Sequence, residues 1–445
     1  MKTKILGLNK FPKKYKIMCK LKFAFGVFMF LACNKKDPQN NSIVTNRQGT
    51  SQVVYPTSTL DAFSKINKTT SWYNTTIAMT SLFEVSKSRY WGFELIVNGG
   101  LVPLNTGTNN TQNGTRNFYW NDLGTYLYTD FTEDGKKDLW AYYLKYPWPT
   151  NAAGLHLFSE YVGSPNVYDL QSGLTQVRKC VVSDMDGDGK KDVMLFSSGL
   201  DAFPNPGDSL GIFYPKDLKY QYLNSDIGYY HGGATGDVNG DGLIDIVGYS
   251  GFSQLIPVHP TCYINNGKRS FTLNKNIFKN FTNQDNYYTV ELFDINKDGS
   301  LDLFLGSIEK LIVITNKDGV FDRKNSINLP VDSKLEIMDI AFLDFDLDGN
   351  IDVLTMSNKG GYNGYALRLF LNKGDLFIES SKSYFDKTDE VGTKSWIKWI
   401  RILDYDVDGD LDVVADGLFG NLNGTGGKKI YWRNDGGKFI QVKVN

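Results

Sequence analysis

A nine-residue acidic pattern occurs six times in this chain of 445 residues. Its form is D-x-[DNT]-x-D-G-x-x-D, and Leu, Val or Ile follows every copy. The copies begin at Asp130, Asp184, Asp237, Asp294, Asp344 and Asp404, at intervals of 50 to 60 residues. A unit repeated at that period means an array of similar supersecondary pieces, none able to bury its own faces alone.

The spacing also carries chemistry. A hard dication such as Ca²⁺ takes six to eight oxygen ligands, and acids at positions one, three and five of a tight loop converge on one point. Glycine at position six allows the sharp turn, position seven can offer a backbone carbonyl, and an aspartate closes the loop at position nine. The expected ligands in the first loop are Asp130, Thr132, Asp134, Lys136 and Asp138; in the second, Asp184, Asp186, Asp188, Lys190 and Asp192. The third has Asp237, Asn239, Asp241, Leu243 and Asp245, and the fourth has Asp294, Asn296, Asp298, Ser300 and Asp302. The fifth has Asp344, Asp346, Asp348, Asn350 and Asp352, and the sixth has Asp404, Asp406, Asp408, Asp410 and Asp412. Without a cation these carboxylates repel one another, so up to six structural Ca²⁺ ions should brace the fold.

No helical periodicity follows the loops. Each runs straight into a strand-like segment such as Asp192-Val-Met-Leu-Phe196, and an apolar run such as Ile340-Ala-Phe-Leu343 precedes it. The loops therefore belong at the bends of β-hairpins. A second element recurs between them: a strand ending in Asn, a Gly-containing turn, then Phe. It appears at Cys262–Phe271, Leu311–Phe321, Leu367–Phe377 and Lys429–Phe439. This reads as a second hairpin. Each unit is thus strand, acidic loop, strand, link, strand, Asn-Gly turn, strand.

Together the acidic loop and the Asn-x-Gly-x-Phe element resemble the FG-GAP/VCBS repeat, the family that includes the integrin α-subunit β-propeller. The resemblance covers roughly residues 120–445. It implies an all-β fold, a β-propeller of four-stranded blades with Ca²⁺ loops bridging the first and second strands on one face. Six loops mean six blades in 123–445. Residues 56–122 are about one blade long, and Tyr90–Gly100 resembles a degenerate strand-Asn-Gly element, so a seventh blade without a loop is favoured. A six-bladed ring with an N-terminal extension, partly helical over 59–88, is the alternative.

The N-terminus reads as an address. Residues 1–32 hold lysines at 2, 4, 10, 13, 14, 16, 20 and 22 and no acid, then an apolar run over 23–32. That run is too short to span a bilayer, which takes about 20 residues. A charged stretch followed by a short apolar one is a secretory signal. Leu31-Ala-Cys33 resembles a bacterial lipobox, which implies lipidation of Cys33 and anchoring at the outer membrane or cell surface. An ordinary signal peptide is the competing reading. The polar segment 33–55 reads as a flexible tether, leaving 56–445 as the folded body. Cys180 and Cys262 allow at most one disulfide in that body; two free thiols are the simpler reading.

The formal charge of −1 includes those N-terminal lysines, so the body is acidic, which argues against a nucleic-acid partner. The three histidines form no zinc pair, and no nucleophile elbow, phosphate loop or dinucleotide fingerprint occurs. Aromatic pairs before the loops (Tyr229 and Tyr230, Tyr287 and Tyr288, Trp396 and Trp399) and Trp148 between two prolines are candidates for a ligand face, against a plain packing role. The reading is a monomeric, surface-anchored binding or adhesion module for a protein or glycan ligand. The alternative is a polysaccharide-active lyase or hydrolase, or an accessory subunit of one, on the same scaffold.

Overall fold

The computed structural model describes residues 43–45, 51–53, 108–111, 114–117, 123–129, 131–134, 138–143, 154–159, 166–171, 173–199, 206–251, 253, 255–287, 289–308, 310–332, 334–360, 363–374, 376–391, 396–403, 406, 408, 410–419 and 429–444. The expectations for the export signal, Cys33, the 59–88 segment, Tyr90–Gly100, Trp148 and Tyr288 lie outside these residues. No described helix is long and apolar enough to cross a membrane.

From residue 123 onward the described residues form six successive antiparallel sheets, four of them plain four-stranded meanders in chain order. The first sheet comprises Leu123–Thr129, Asp138–Tyr143, Gly154–Ser159 and Asn166–Gln171. The second has Val177–Ser183, Asp192–Ser197, Asp208–Tyr214 and Lys219–Gly228. The third has Tyr230–Gly236, Asp245–Ser250, His259–Asn265 and Phe271–Leu273, and the fourth has Thr289–Phe293, Asp302–Gly306, Leu311–Ile314 and Ile327–Leu329. The fifth has Leu335–Leu343, Asp352–Lys359, Gly364–Asn372 and Phe377–Glu379, and the sixth has Trp396–Leu403, Asp412–Phe419, Lys429–Asn434 and Phe439–Val444. This all-β arrangement is consistent with a propeller-like fold.

Every acidic loop joins the first strand of a sheet to the second. Register places the residue before the loop opposite its ninth residue: Ser183 pairs with Asp192, Gly236 with Asp245, Phe293 with Asp302, Leu343 with Asp352. The first two strands of the middle sheets are largely buried on both faces; all six residues of Asp192–Ser197 are buried. A strand buried on both faces needs a neighbour on each side, and the next sheets supply it. Val181, Met194 and Phe196 of the second sheet pack with Tyr230, Ile246 and Tyr263 of the third. Phe293 and Phe304 of the fourth pack on Phe342 of the fifth, with ring centroids 4.5 and 4.9 Å apart. Gly233 is required where the second and third sheets meet: a Cβ there would lie 1.9 Å from the Phe196 ring.

Two sheets depart from the four-strand plan. In the fourth, the Asn-Gly hairpin Asn316–Lys317/Val320–Asp322 leaves the sheet and pairs in parallel with Phe278–Lys279, next to the third sheet's outer strand. Phe278 and Phe321 stack there, and Ile327–Leu329 becomes the outer strand instead. The fifth sheet gains Asp389–Val391, paired to the third strand beyond the short outer one. Of residues 56–122, the described ones form one two-stranded ladder, Thr108–Thr111 with Gly114–Asn117. Cys180 and Cys262 are free thiols.

Candidate metal loops

The loop geometry is clearest in the second and fifth copies. Asp184, Asp186 and Asp188 each present a carboxylate oxygen to one point, all within 4.8 Å of one another, and Asp344, Asp346 and Asp348 do the same. Position one holds the loop backbone: Asp184 Oδ1 accepts from the Gly187 and Asp188 amides at 2.8 and 3.0 Å, and Oδ2 from Gly189 at 2.8 Å. The Asp237 carboxylate repeats this toward Gly240, Asp241 and Gly242.

Position four is left-handed in each described copy. Glycine takes it at 187 and 240, but Glu133, Lys297 and Leu347 adopt it with φ of 59°, 61° and 59°. The pattern leaves position four unspecified, so nothing in it announces this conformation.

The ninth aspartate is the buried hub. Asp245, Asp302, Asp352 and Asp412 are fully buried and Asp192 nearly so. Oδ2 accepts the position-two amide of its own loop: Met185 to Asp192 at 2.9 Å, Val238 to Asp245 at 3.1 Å, Ile295 to Asp302 at 3.2 Å, Phe345 to Asp352 at 2.8 Å. Oδ1 accepts the amide of the asparagine at the second hairpin: Asn265 at 2.8 Å, Asn316 at 2.9 Å, Asn372 at 2.8 Å and Asn434, to Asp412, at 2.8 Å. The two sequence elements thus meet at this carboxylate. The asparagine Oδ1 then closes its own turn, accepting from Gly267, Gly319, Gly374 and Gly437.

Burial, aided by the neighbouring acids, pushes Asp192 and Asp352 up to about 8 and Asp245 and Asp302 to about 7. Burial likewise raises Asp344 to about 6 and, with Asp408 and Asp412 beside it, Asp410 to about 9. Asp410 is 1% exposed, and neither carboxylate oxygen has a hydrogen-bond partner. A buried carboxylate without a partner calls for a cation or a proton. The donor set is all oxygen, which suits a hard dication. These residues therefore fit a Ca²⁺-type ion. Cationic side chains lie against two of the loops: Lys216 reaches Asp188 at 2.8 Å, Arg269 reaches Asp186 at 2.8 Å, and Lys373 contacts Asp346 and Asp348.

Not every expected ligand is placed. Asp130, Lys136 and Asp404 lie outside the described residues, as does the side chain of Asp138. Thr132 and Asp134 are exposed on the first loop. Asn239 and Asn296 turn their amides to Asp241 and Asp298 of their own loops, at 2.9 and 3.0 Å.

The aromatic expectations divide. Tyr229, Tyr230 and Tyr287 are buried, so they offer no ring to solvent, and Tyr230 and Tyr287 pack between sheets. Tyr287 meets Tyr249 edge-on at 5.2 Å, and the Tyr230 hydroxyl donates to Asp226 at 2.8 Å. The side chains of Trp396 and Trp399 lie outside those described. The sequence pattern did not single out Asp226, which is buried in the outer strand of the second sheet and bonded to Thr261, to His259 at 2.9 Å and to Lys275 at 2.8 Å. Burial pushes its carboxyl up, but those partners hold it well below the usual range. A polar cleft of about 250 Å³ opens beside the fifth sheet, lined by Asp332, Arg368, Glu379, Ser381, Lys382 and Thr388 among others.

Comparison with known proteins agrees with the repeat. The FG-GAP-like repeat family matches residues 237–305 and 294–355. No curated protein matches the chain in sequence. Among solved structures, an Agrocybe aegerita lectin that recognises non-reducing terminal N-acetylglucosamine is 18% identical, with a TM-score of 0.44, over 75% of this chain and 83% of the lectin. The V. cholerae biofilm matrix protein Bap1 is 16% identical over 55% of this chain, with a TM-score of 0.30, and 37% of its length is spanned. Rhamnogalacturonan lyase YesW is 14% identical over 72% of this chain, with a TM-score of 0.23, and 59% of its length is spanned.

Proposed function

We propose that this chain is an exported, lipid-anchored β-propeller, seven-bladed and braced by calcium, that acts as a binding module for a glycan or protein ligand. The observation that carries the reading is the repeated hub. In sheet after sheet, a buried aspartate ties the acidic loop to the asparagine of the second hairpin, and in the second and fifth loops the acids at positions one, three and five converge on one point. Bound calcium would supply the charge that lets those acids stay ionised together. The chain's own residues do the rest: Asp184 and its counterparts wrap the loop, and Asp192 and its counterparts anchor it to the sheet.

A ligand would then meet a rigid surface. The cleft at Arg368 measures about 250 Å³, and hydroxyl and charged groups line it beside Pro330 and Val331. Its acids are already engaged, Asp332 with Arg368 and Glu379 with Ser381, which favours holding a ligand over proton transfer.

The test is a glycan array and a surface-protein pull-down with the full-length chain in detergent, each in Ca²⁺ and in EGTA. A Ca²⁺-dependent glycan or protein partner is expected. Depolymerisation of a bound polysaccharide would replace this reading with an enzymatic one, and identical binding in EGTA would remove calcium from it.

A further inference from the structure

Three of these asparagines, Asn265, Asn316 and Asn372, touch two loops, their own and the one before it in the chain. The Asn316 backbone amide donates to Asp302, the hub of the fourth loop. Its side-chain Nδ2 donates to the Val238 carbonyl at 2.9 Å, and Val238 is position two of the third loop. Asn265 does the same between the third loop and the second, through Met185 at 2.9 Å. Asn372 does so between the fifth and the fourth, through Ile295 at 3.1 Å.

These contacts join end to end. Met185 accepts from Asn265, whose amide donates to Asp245, which accepts from Val238. Val238 accepts from Asn316, whose amide donates to Asp302, which accepts from Ile295. Ile295 accepts from Asn372, whose amide donates to Asp352, which accepts from Phe345. The run crosses four sheets without a break. All three asparagines are at least 95% buried, so water does not compete for these bonds.

The carbonyl that each asparagine grips is also significant. Val238 C=O belongs to the peptide that leads into Asn239, the position-three ligand of the third loop. Met185 and Ile295 lead likewise into Asp186 and Asn296. The asparagine therefore orients the peptide plane that carries a ligand of the preceding loop, while its own backbone is held by the hub of the following one. Links at the loop tips, Lys190 to Glu133 and Lys297 to Asn350, are exposed, and pairs of that kind contribute little.

We infer that Asn265, Asn316 and Asn372 are positioning residues that couple occupancy of each loop to occupancy of the loop before it, so that calcium loads neighbouring sheets cooperatively. This rests on the reading that the loops take calcium. Filling the fourth loop immobilises Asp302, hence Asn316, hence the Val238 peptide, and the third loop then loses less freedom on binding.

The test follows calcium-dependent hydrogen exchange at each loop of the full-length chain. Disabling the fourth loop with Asp294→Asn plus Asp298→Asn should shift the calcium midpoint of residues 237–245 upward by about fivefold or more. In an Asn316→Ala background the same pair of substitutions should leave that midpoint unmoved. Asn265→Ala should uncouple the second and third loops only. An asparagine with a merely structural role would lower thermal stability yet leave the dependence of one loop on another intact, and that result overturns the inference. If Asn316→Ala does not fold, Asn265→Ala and Asn372→Ala ask the same question at the other joints. Calcium-dependent protection with no loop-to-loop dependence in the unaltered chain defeats the coupling alone. No calcium-dependent protection at any loop defeats the calcium reading and the coupling with it.

Discussion

Replacing Asp352 by alanine separates two roles that the ninth position could have, and the structure gives them different magnitudes. If Asp352 only served a bound ion, its loss would be silent in chelator. The hub geometry says otherwise. Asp352→Ala leaves the amides of Phe345 and Asn372 without acceptors in a site that is fully buried. Each orphaned buried donor costs about 1–3 kcal/mol, so the pair costs about 2–6 kcal/mol with no metal present. Asp348, at position five, is the control. It lies at the surface beside Lys373, and the loss of an exposed pair of that kind is worth about 0–1 kcal/mol. Urea unfolding in EDTA at pH 6 is the assay. That pH lies below the raised value of about 8 for Asp352, so removing the side chain relieves no buried charge. Asp352→Ala should lose several kilocalories there and Asp348→Ala almost nothing, while both lose the increment that calcium adds. Equal losses for the two variants in EDTA would refute the hub.

Three further outcomes are expected. Asp192, Asp245, Asp302 and Asp352 all titrate higher in the folded chain than the ordinary 3.8, chiefly through burial. Their metal-free contribution is therefore fully present below that ordinary value and is lost as pH rises through about 7 to 8, so the melting temperature in EDTA should fall between pH 4 and pH 8. Saturating calcium should abolish that decline, and an EDTA profile that rises over the same range would contradict it. Lys179→Met breaks the buried ion pair between Lys179 of the second sheet and Glu291 of the fourth, which is 1% exposed, and should cost about 3–5 kcal/mol; adding Glu291→Leu should restore much of it in a double-mutant cycle. Gly233→Ala drives a methyl into the Phe196 ring and should cost about 1–3 kcal/mol equally with and without calcium, by thermal melting.

The hairpin placement of every loop was legible because alternation between apolar runs and an Asp-Gly turn is local information. Asp184 through Asp192 announces a bend between two strands whatever surrounds it. The second hairpin was legible at Asn265, Asn372 and Asn434 for the same reason. At Asn316 the local signal held but its destination did not: the turn forms, then pairs with Phe278–Lys279, because Phe278 and Phe321 stack. The aromatic pairs were less legible. Tyr229, Tyr230 and Tyr287 carry the same residue types whether they face solvent or a neighbouring sheet, and only the packing of the second, third and fourth sheets decides that they are interior.

What the sequence determined by itself is periodic: six acidic turns, the strands that flank them, and the oxygen chemistry of positions one, three and five. Such features lie within nine consecutive residues, so chain geometry alone sets their spacing. The tertiary structure decided which partners those residues find. The ninth aspartate, closing a loop in the sequence, becomes a buried hub because the third strand of its sheet brings an amide to its second oxygen. The asparagine that ends that strand looks like a turn residue, yet its amide reaches the preceding loop, 78 residues away in the case of Val238 and Asn316. Contacts of that range depend on how sheets stack, and stacking follows from apolar faces that are alike in every repeat. The pattern of one repeat therefore carries no mark of which neighbour it will grip.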